Sequence, residues 1–400
     1  MSQSGDLAAT PRLLLLLIQS PFDGSSGAAV SMRHMAYLLA KSGWQVHALS
    51  TDLTEGDATN VFPHAARISR ECDANTENQA ILRVQHEGIT FELIECGQHS
   101  PEHARVNRFD FFDRRYVEIL DTFRPDLILT FGATHADLHR RAIARTRGIR
   151  VIFALHNLAY LRDSIQEYDE LLVPSAIMAN RYAAAGYQQV HRLPPPMWDE
   201  EIIATEREPV FFTFVNPERA KGAELIAHLA ARHPELPFLI VESRARSGHF
   251  KTIAKAAGIA IEKLDNIMFS SGAVLPKDIF AATRVLLMPS LVDEAAGRLA
   301  AESLANGIPT LVSDAGALPE IVGSIGTVLP FKTRNADIPV IDEATIALWS
   351  EQLGLLSQDD YYQVKANFVR SSGKQYTTAY QIDSYAAWFK SCLNSRPAYS

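Results

Sequence analysis

Two stretches of this chain repeat one order of elements, and that order restricts the fold more than any other feature. Residues 13–18, Leu-Leu-Leu-Leu-Leu-Ile, form an unbroken apolar run between Arg12 and Gln19-Ser20-Pro21. Such a short, bounded run reads as a parallel strand covered on both faces. A polar loop follows, Pro21-Phe22-Asp23-Gly24-Ser25-Ser26-Gly27, and then a helical pattern over 28–41 that stops at Ser42-Gly43. The order recurs after residue 209: an apolar run over 210–215, the loop Asn216-Pro217-Glu218-Arg219-Ala220-Lys221-Gly222, and a helical pattern over 223–231. Between the two lie Arg192-Leu193-Pro194-Pro195-Pro196 and the acidic run Asp199-Glu200-Glu201. Prolines cannot continue a helix or pair inside a sheet, so this segment reads as a linker. The two openings are alike in architecture, not in sequence.

The alternation continues in both halves. Strand-like runs at 44–51, 80–84, 89–94, 125–130, 151–155 and 170–173 precede or follow helical patterns in the first half. In the second half the runs lie at 238–242, 266–269, 285–288 and 310–312. Strand and helix in regular succession predict an α/β fold built as two Rossmann-like, doubly wound domains facing each other across a cleft. The expected boundaries are 1–192 for the N-terminal, acceptor-binding domain, 193–209 for the linker, and 210–375 for the C-terminal, donor-binding domain. A final helical segment, 376–400, carries Trp388 and Phe389 and is expected to pack back on the N-terminal domain.

Four hundred residues, 47% of them hydrophobic, are ample for two cores. The formal charge of -8 argues against a nucleic-acid binder, which needs a basic face. Three scattered cysteines, Cys72, Cys96 and Cys392, suit a reducing cytoplasm and offer no metal-binding framework. No run is long enough to span a bilayer, so membrane contact is expected to be peripheral at most, at the inner face. Between 101 and 123 a helical pattern puts Phe109, Phe112, Tyr116 and Ile119 on one face beside several arginines, a stripe that reads as core rather than membrane anchor. Neither half shows G-x-G-x-x-G after its first strand, which argues against a nicotinamide-dependent oxidoreductase.

The chemistry concentrates in residues 293–320. Glu294 and Glu302 stand eight positions apart with Gly297 between them. A helix starting near Gly297 leaves Glu294 in the preceding loop and carries Glu302 more than a turn inside, among small apolar residues. A carboxylate there needs a hydrogen-bonding partner or an open crevice. Lys221 and Arg219 lie between a strand and a helix, so their charges and the helix N-terminus can converge on a diphosphate. Glu302 can accept ribose hydroxyls, Glu294 hexose hydroxyls, and the backbone of Ala295, Ala296 and Gly297 can donate beside it. Each has a plainer alternative: a capping Glu294, a Glu302 paired to a basic residue, a solvated Lys221. Gly24, Ser25 and Gly27 form either an acceptor or phosphate loop or simply a tight turn. His156, directly after the 151–155 run, is placed for a ligand or is one structural histidine among thirteen.

These residues also carry a resemblance. Over 285–323 the order P-S-x3-E-x2-G-x4-E, G-I-P and G-A-L-P-E resembles the GT-B glycosyltransferases of family 4, supported by Lys221-Gly222, the first glycine loop and His156. The resemblance implies a retaining, metal-independent hexosyltransferase acting in polysaccharide biosynthesis or on a small metabolite. Its co-substrate would be a nucleoside-diphosphate sugar, UDP or GDP, and no further cofactor would be required. Its acceptor would be a glycan or a lipid-linked saccharide. It further implies that Glu302 holds the ribose, Glu294 the donor sugar, Lys221 the diphosphate, and that His156 faces the sugar. Asn216 stands where members have a basic residue, so Arg219 would substitute, and Ala296 stands where members have an aromatic one. A sugar-nucleotide epimerase and a non-catalytic scaffold on the same fold are the alternatives.

Overall fold

A computed structural model describes residues 10–55, 59–72, 80–96, 109–162, 165–243, 246–270, 275–335 and 338–394. Its residues group into two compact units. One contains the described chain up to Leu172, with Ala185–His191 and the chain from Ile382; the other contains Val173–Ala184 and Arg192–Gln381. The helix Ala176–Ala184 thus groups with the second unit although its strand belongs largely to the first.

The first unit is built on a nine-stranded sheet: β1 (Arg12–Leu16), β2 (Gln45–Thr51), β3 (Arg67–Cys72), β4 (Ala80–His86), β5 (Ile89–Ile94), β6 (Leu127–Thr130), β7 (Arg150–Ala154), β8 (Glu170–Val173) and β9 (Val190–Arg192). Its order is β3-β4-β5-β2-β1-β6-β7-β8-β9. The strands from β5 to β8 pair in parallel, and β3 and β4 add an antiparallel edge. Leu13, Leu14 and Leu15 are fully buried, as an interior parallel strand requires. Leu14 and Leu16 pack with Phe112, Tyr116 and Ile119 of the helix Phe109–Thr122, so these three members of the expected stripe are core. Residues 101–108 of the expected helical pattern lie outside the described residues. β3 has no counterpart in the sequence reading because all six of its residues are exposed and no apolar run marks it.

The second unit is a six-stranded parallel sheet of β10 (Phe211–Val215), β11 (Phe238–Val241), β12 (Ile267–Ser270), β13 (Thr283–Met288), β14 (Thr310–Val312) and β15 (Thr327–Val328). The order is β12-β11-β10-β13-β14-β15. In the first sheet β1 runs between β2 and β6, and in the second β10 runs between β11 and β13. The chain therefore reverses its winding direction between β1 and β6, and again between β10 and β13. Loops leaving the carboxyl ends of two such strands diverge to opposite faces and open a crevice, where ligands of doubly wound sheets bind. Phe212, Phe214, Leu287 and Trp349 belong to the core of this unit. Trp349 lies on the helix Glu343–Ser357, which with Asp359–Ser372 forms a helical pair that the sequence reading does not mark.

The expected linker is not a free tether. Pro195, Pro196, Met197 and Trp198 are buried. Gln381 donates to Pro195 O at 2.9 Å and accepts from Met197 N at 2.8 Å, while Asp199 and Thr378 exchange two bonds of 2.8 Å. The helix Thr378–Asn394 then places Phe389, fully buried, against Trp44 of the first unit, with ring centroids 6.2 Å apart. Among the described residues no helix is long and apolar enough to cross a membrane.

Leu287 sits at the centre of the second core and is fully buried. Leu287→Ala is expected to cost about 2–5 kcal/mol. The check is the urea midpoint followed through the emission of Trp349 and its neighbours. An unmoved midpoint would mean that this strand is not where the unit's cohesion resides.

Candidate active site

The second reversal point brings two loops together. After β10, Asn216 takes a left-handed φ of 63° and its amide donates to Glu218 at 3.2 Å, and a short turn, Arg219–Lys221, leads to Gly222. Gly222 has φ of 90°, and a Cβ there would lie 2.1 Å from the carbonyl oxygen of Pro289, just past β13. Only glycine permits that approach. Leu291 N donates to Ala220 O at 2.9 Å, closing the two loops on each other. As a result Lys221 Nζ reaches Glu294 Oε1 at 2.7 Å, and the Ser290 hydroxyl donates to the same oxygen.

The carboxylate loop is fixed from its other side too. Glu294 bridges Gly316 in parallel fashion, and Ala317 N donates to Glu294 O at 2.7 Å. A Cβ on Gly316 would lie 2.4 Å from both Glu294 N and O. Ser175 donates to Ala295 O at 2.7 Å, and Arg181 pairs with Asp293. Glu320 caps the helix that carries Arg181, accepting from Ala176 N at 2.7 and 3.0 Å and from Arg192 at 2.5 Å. The Lys221 and Glu294 side chains remain 31% and 15% exposed, so water reaches the pair. An ion pair of that exposure contributes about 0–1 kcal/mol to stability. Its consequence is positional: an ammonium and a carboxylate are held side by side at the carboxyl ends of β10 and β13.

The remaining expected donor-site residues divide. Ala295 and Ala296 are half-buried beside Glu294, and Gly297 immediately precedes the helix Arg298–Ala305. Glu302 lies inside that helix, 4% exposed, with Oε1 2.7 Å from Arg298 Nε. Arg298 also donates to Pro196 O at 2.7 Å. Burial raises the Glu302 carboxyl above its ordinary value; Arg298 opposes the rise and Glu201 adds to it. Glu302 is therefore a paired, interior carboxylate, and at most its second oxygen is left for a hydroxyl. Arg219 is exposed and pairs with Glu224 at 2.7 Å, while Lys221 pairs with Glu294.

In the first unit, the loop of Gly24, Ser25 and Gly27 is organised by Asp23, which is fully buried. Asp23 accepts from Ser25 N at 2.9 Å, Ser25 Oγ at 2.7 Å, Gln19 at 2.7 Å and Glu55 N at 2.8 Å. Ser26 caps the helix Gly27–Lys41, accepting from Ala29 N. His156 follows β7 by two residues and meets Phe131 edge to face at 5.4 Å.

Several of these positions carry no role in the sequence reading. Ser290 and Asp293 flank Glu294 in plain view, but nothing local shows that a hydroxyl four residues earlier turns back to the carboxylate. Ser175 and Arg181 lie more than a hundred residues away from the loop they hold. Among the described residues no group of three or more His, Cys, Asp or Glu side chains gathers as metal ligands.

Gly316→Ala places a side chain where the Glu294 backbone runs, at a left-handed φ of 60°. It is expected to lose at least about 1–2 kcal/mol, from backbone strain alone, measured by urea unfolding. A second expectation concerns pH. Because the folded protein holds the Glu302 proton more tightly than the unfolded chain, the folded state binds more protons, and stability contributed by this group falls as pH rises above the ordinary carboxyl value of 4.5. Glu302→Gln should flatten that descending limb in unfolding experiments across pH 4–8; a limb of unchanged slope would remove Glu302 as its source.

Residues 26–197 match the glycosyl transferase 4-like domain and residues 198–338 match glycosyl transferases group 1, so the two matches run on without a gap. A search by sequence among curated proteins finds no match. Among solved structures, the chain is similar to sucrose-phosphate synthase from Thermosynechococcus elongatus, with a TM-score of 0.65 and 15% identity over 96% of this chain and 98% of that one. It is also similar to the catalytic domain of starch synthase IV from Arabidopsis thaliana bound to ADP and acarbose, with a TM-score of 0.67, 11% identity, and coverage of 96% and 99%. Anabaena Alr3699/HepE in complex with UDP and glucose gives a TM-score of 0.65 and 14% identity over 96% of this chain and 100% of that chain. At such identities the likeness concerns the fold, which is the GT-B fold expected from the sequence. The two consecutive domain matches, with that fold beneath them, show that this chain belongs to the glycosyl transferases group 1 family.

Proposed function

We propose that this protein transfers a hexose from a nucleoside-diphosphate sugar to a hydroxyl acceptor with retention of anomeric configuration, and that the site between β10 and β13 binds the donor. The observation that carries the reading is the Lys221–Glu294 pair, 2.7 Å apart at the reversal point and open to water. The ammonium suits a diphosphate oxygen, and the carboxylate suits the hydroxyls of the sugar attached to it. Binding a diphosphate would draw Lys221 toward the phosphate and release Glu294 to the sugar. The complex of a structural relative with UDP and glucose agrees with a donor of this class.

In the reaction the bond from the anomeric carbon to the diphosphate oxygen breaks, and a bond from that carbon to the acceptor oxygen forms. The acceptor's proton passes to the departing phosphate on the same face. Charge grows on the leaving group as the sugar becomes oxocarbenium-like, and Lys221 is already placed to meet it, so little reorganisation is needed. The residues from Ala295 to Gly297 are assigned to the donor beside Glu294. Glu302 is assigned to the ribose through the oxygen that Arg298 leaves, and His156 of the first unit to the sugar by family resemblance. No metal is assigned a part. We place the reaction in the cytoplasm or at the inner face of the membrane.

The purified protein should gain thermal stability with UDP, GDP or a corresponding nucleotide sugar, and should release nucleoside diphosphate when an acceptor pool is present. Lys221→Ala should lower that turnover about 10²–10³-fold, the usual loss when one preorganised electrostatic donor is removed, while its melting temperature stays close to that of the parent. NMR of the product's anomeric proton reads the stereochemistry. A protein that no common nucleoside diphosphate or nucleotide sugar stabilises would defeat the donor-site reading. A new nucleotide sugar formed without any acceptor would replace transfer by epimerisation.

A further inference from the structure

The first unit has its own reversal point, between β1 and β6, and a cavity of about 580 Å³ opens there. Its walls come from the residues that follow these two strands, Ile18 and Phe131 among them, and from Leu53 after β2 and Tyr160 beyond β7. A cavity of this size suits a small organic ligand. Every lining residue belongs to the first unit.

Of the six polar side chains in the wall, Gln19, Glu55, Thr134 and Asp137 have hydrogen-bond partners on the protein, and Thr54 and His135 complete the set. Gln19 donates to Asp23 at 2.7 Å and to Glu55 at 3.3 Å. The Thr134 hydroxyl donates to Asp137 at 2.7 Å, and Asp137 also accepts from Thr134 N and from Arg140, each at 3.1 Å. The larger share of the wall is apolar, with Ile18, Leu53, Ala136 and the rings of Phe131 and Tyr160. Both rings are fixed, Phe131 against His156 and Tyr160 against Phe153, each edge to face at 5.4 Å. A free saccharide entering here would give up water at its hydroxyls and find few partners in exchange. An alkyl chain or an aromatic ring would lose nothing and would remove apolar surface from water.

We propose that this cavity holds the apolar body of a hydroxyl-bearing acceptor, an alkyl or aryl aglycone, rather than the rings of a free oligosaccharide. The word acceptor rests on the transferase reading above; the cavity's preference for apolar ligands does not. Tyr160 and Phe131 would flank the apolar body, and His135 at the exposed rim would stand beside its polar end.

The test uses the full chain without any nucleotide and three glucosides that share one sugar: methyl, hexyl and 4-methylumbelliferyl. Binding is measured by isothermal titration calorimetry. Each buried methylene is worth roughly a fourfold gain in affinity, so hexyl should bind at least about 30-fold more tightly than methyl even when part of the chain stays in water. A comparable gain for the umbelliferyl glucoside marks a flat aromatic aglycone, and a gain for hexyl alone marks a flexible chain; either supports the proposal. Ala136→Phe, which fills the cavity from a half-exposed helix position, and Phe131→Ser, which removes one wall, should each erase most of the gain. Equal binding of all three glucosides, or a gain that survives in both variants, overturns it. The same preparations are titrated with UDP and GDP by thermal shift. A nucleotide response without an apolar gain defeats the cavity proposal alone. An apolar gain without a nucleotide response defeats the transferase reading and leaves the cavity as a binding site.

Discussion

The donor-side geometry depends on one constraint: the backbone after β13 must run in direct contact with the backbones on either side of it. Pro289 touches Gly222 and Glu294 touches Gly316, each at a distance that excludes a Cβ. Because the loop is pinned between them, the position of Glu294 is set by main chain rather than by its own rotamers. Lys221 sits one residue before the first of these glycines, so the contact that admits Pro289 also aims the ammonium. Ser175, Arg181 and Glu320 secure the same loop through an element that the chain reached more than a hundred residues earlier. A charged pair that adds little to stability is thus held in place by close backbone contacts and by ion pairs on the far side of its loop.

The two halves use one topology for opposite chemistries. At β10 and β13 the reversal point presents polar groups directed outward, with an ammonium and a carboxylate open to water. At β1 and β6 it presents a wall that is mostly apolar, in which Gln19 bonds to Asp23 and Thr134 to Asp137. The difference lies in what each first loop does with its acidic residue. Asp23 takes four hydrogen bonds and becomes the frame of its loop. Glu218 takes one from Asn216 in a loop held instead by its backbone and by Gly222, which leaves the lysine side chain to project.

Much of this was legible in the residues, and what was not follows a physical pattern. Interior parallel strands such as β1 and β10 are apolar apart from Arg12 and Thr213, so their positions and the repeated order of strand, loop and helix are visible directly. The helix behind Gly297 and the strand Thr310–Val312 fall where glycine and proline punctuate the chain. β3 is invisible because an exposed edge strand has no need of apolar residues. The prolines of 194–196 suggest an open linker, yet the carbonyls of Pro195 and Pro196 accept from Gln381 and Arg298, and the segment is buried. Periodicity reports what a residue's neighbours in sequence do; it is silent on a glutamine almost two hundred positions on. The same limit applies to Arg219: the loop's basic character is evident, but its pairing with Glu224 turns on a side-chain choice among nearby carboxylates.

The last helix has a consequence for how the protein is made. Phe389 and Cys392 are buried in the first unit, and Phe389 packs against Trp44, yet they are among the last described residues of the chain to leave the ribosome. Throughout the synthesis of the second unit, the surface around Trp44 must wait without its cover. The nascent chain therefore carries an open apolar seam while the second unit is made, and that seam can close only after Phe389 and Cys392 have followed it.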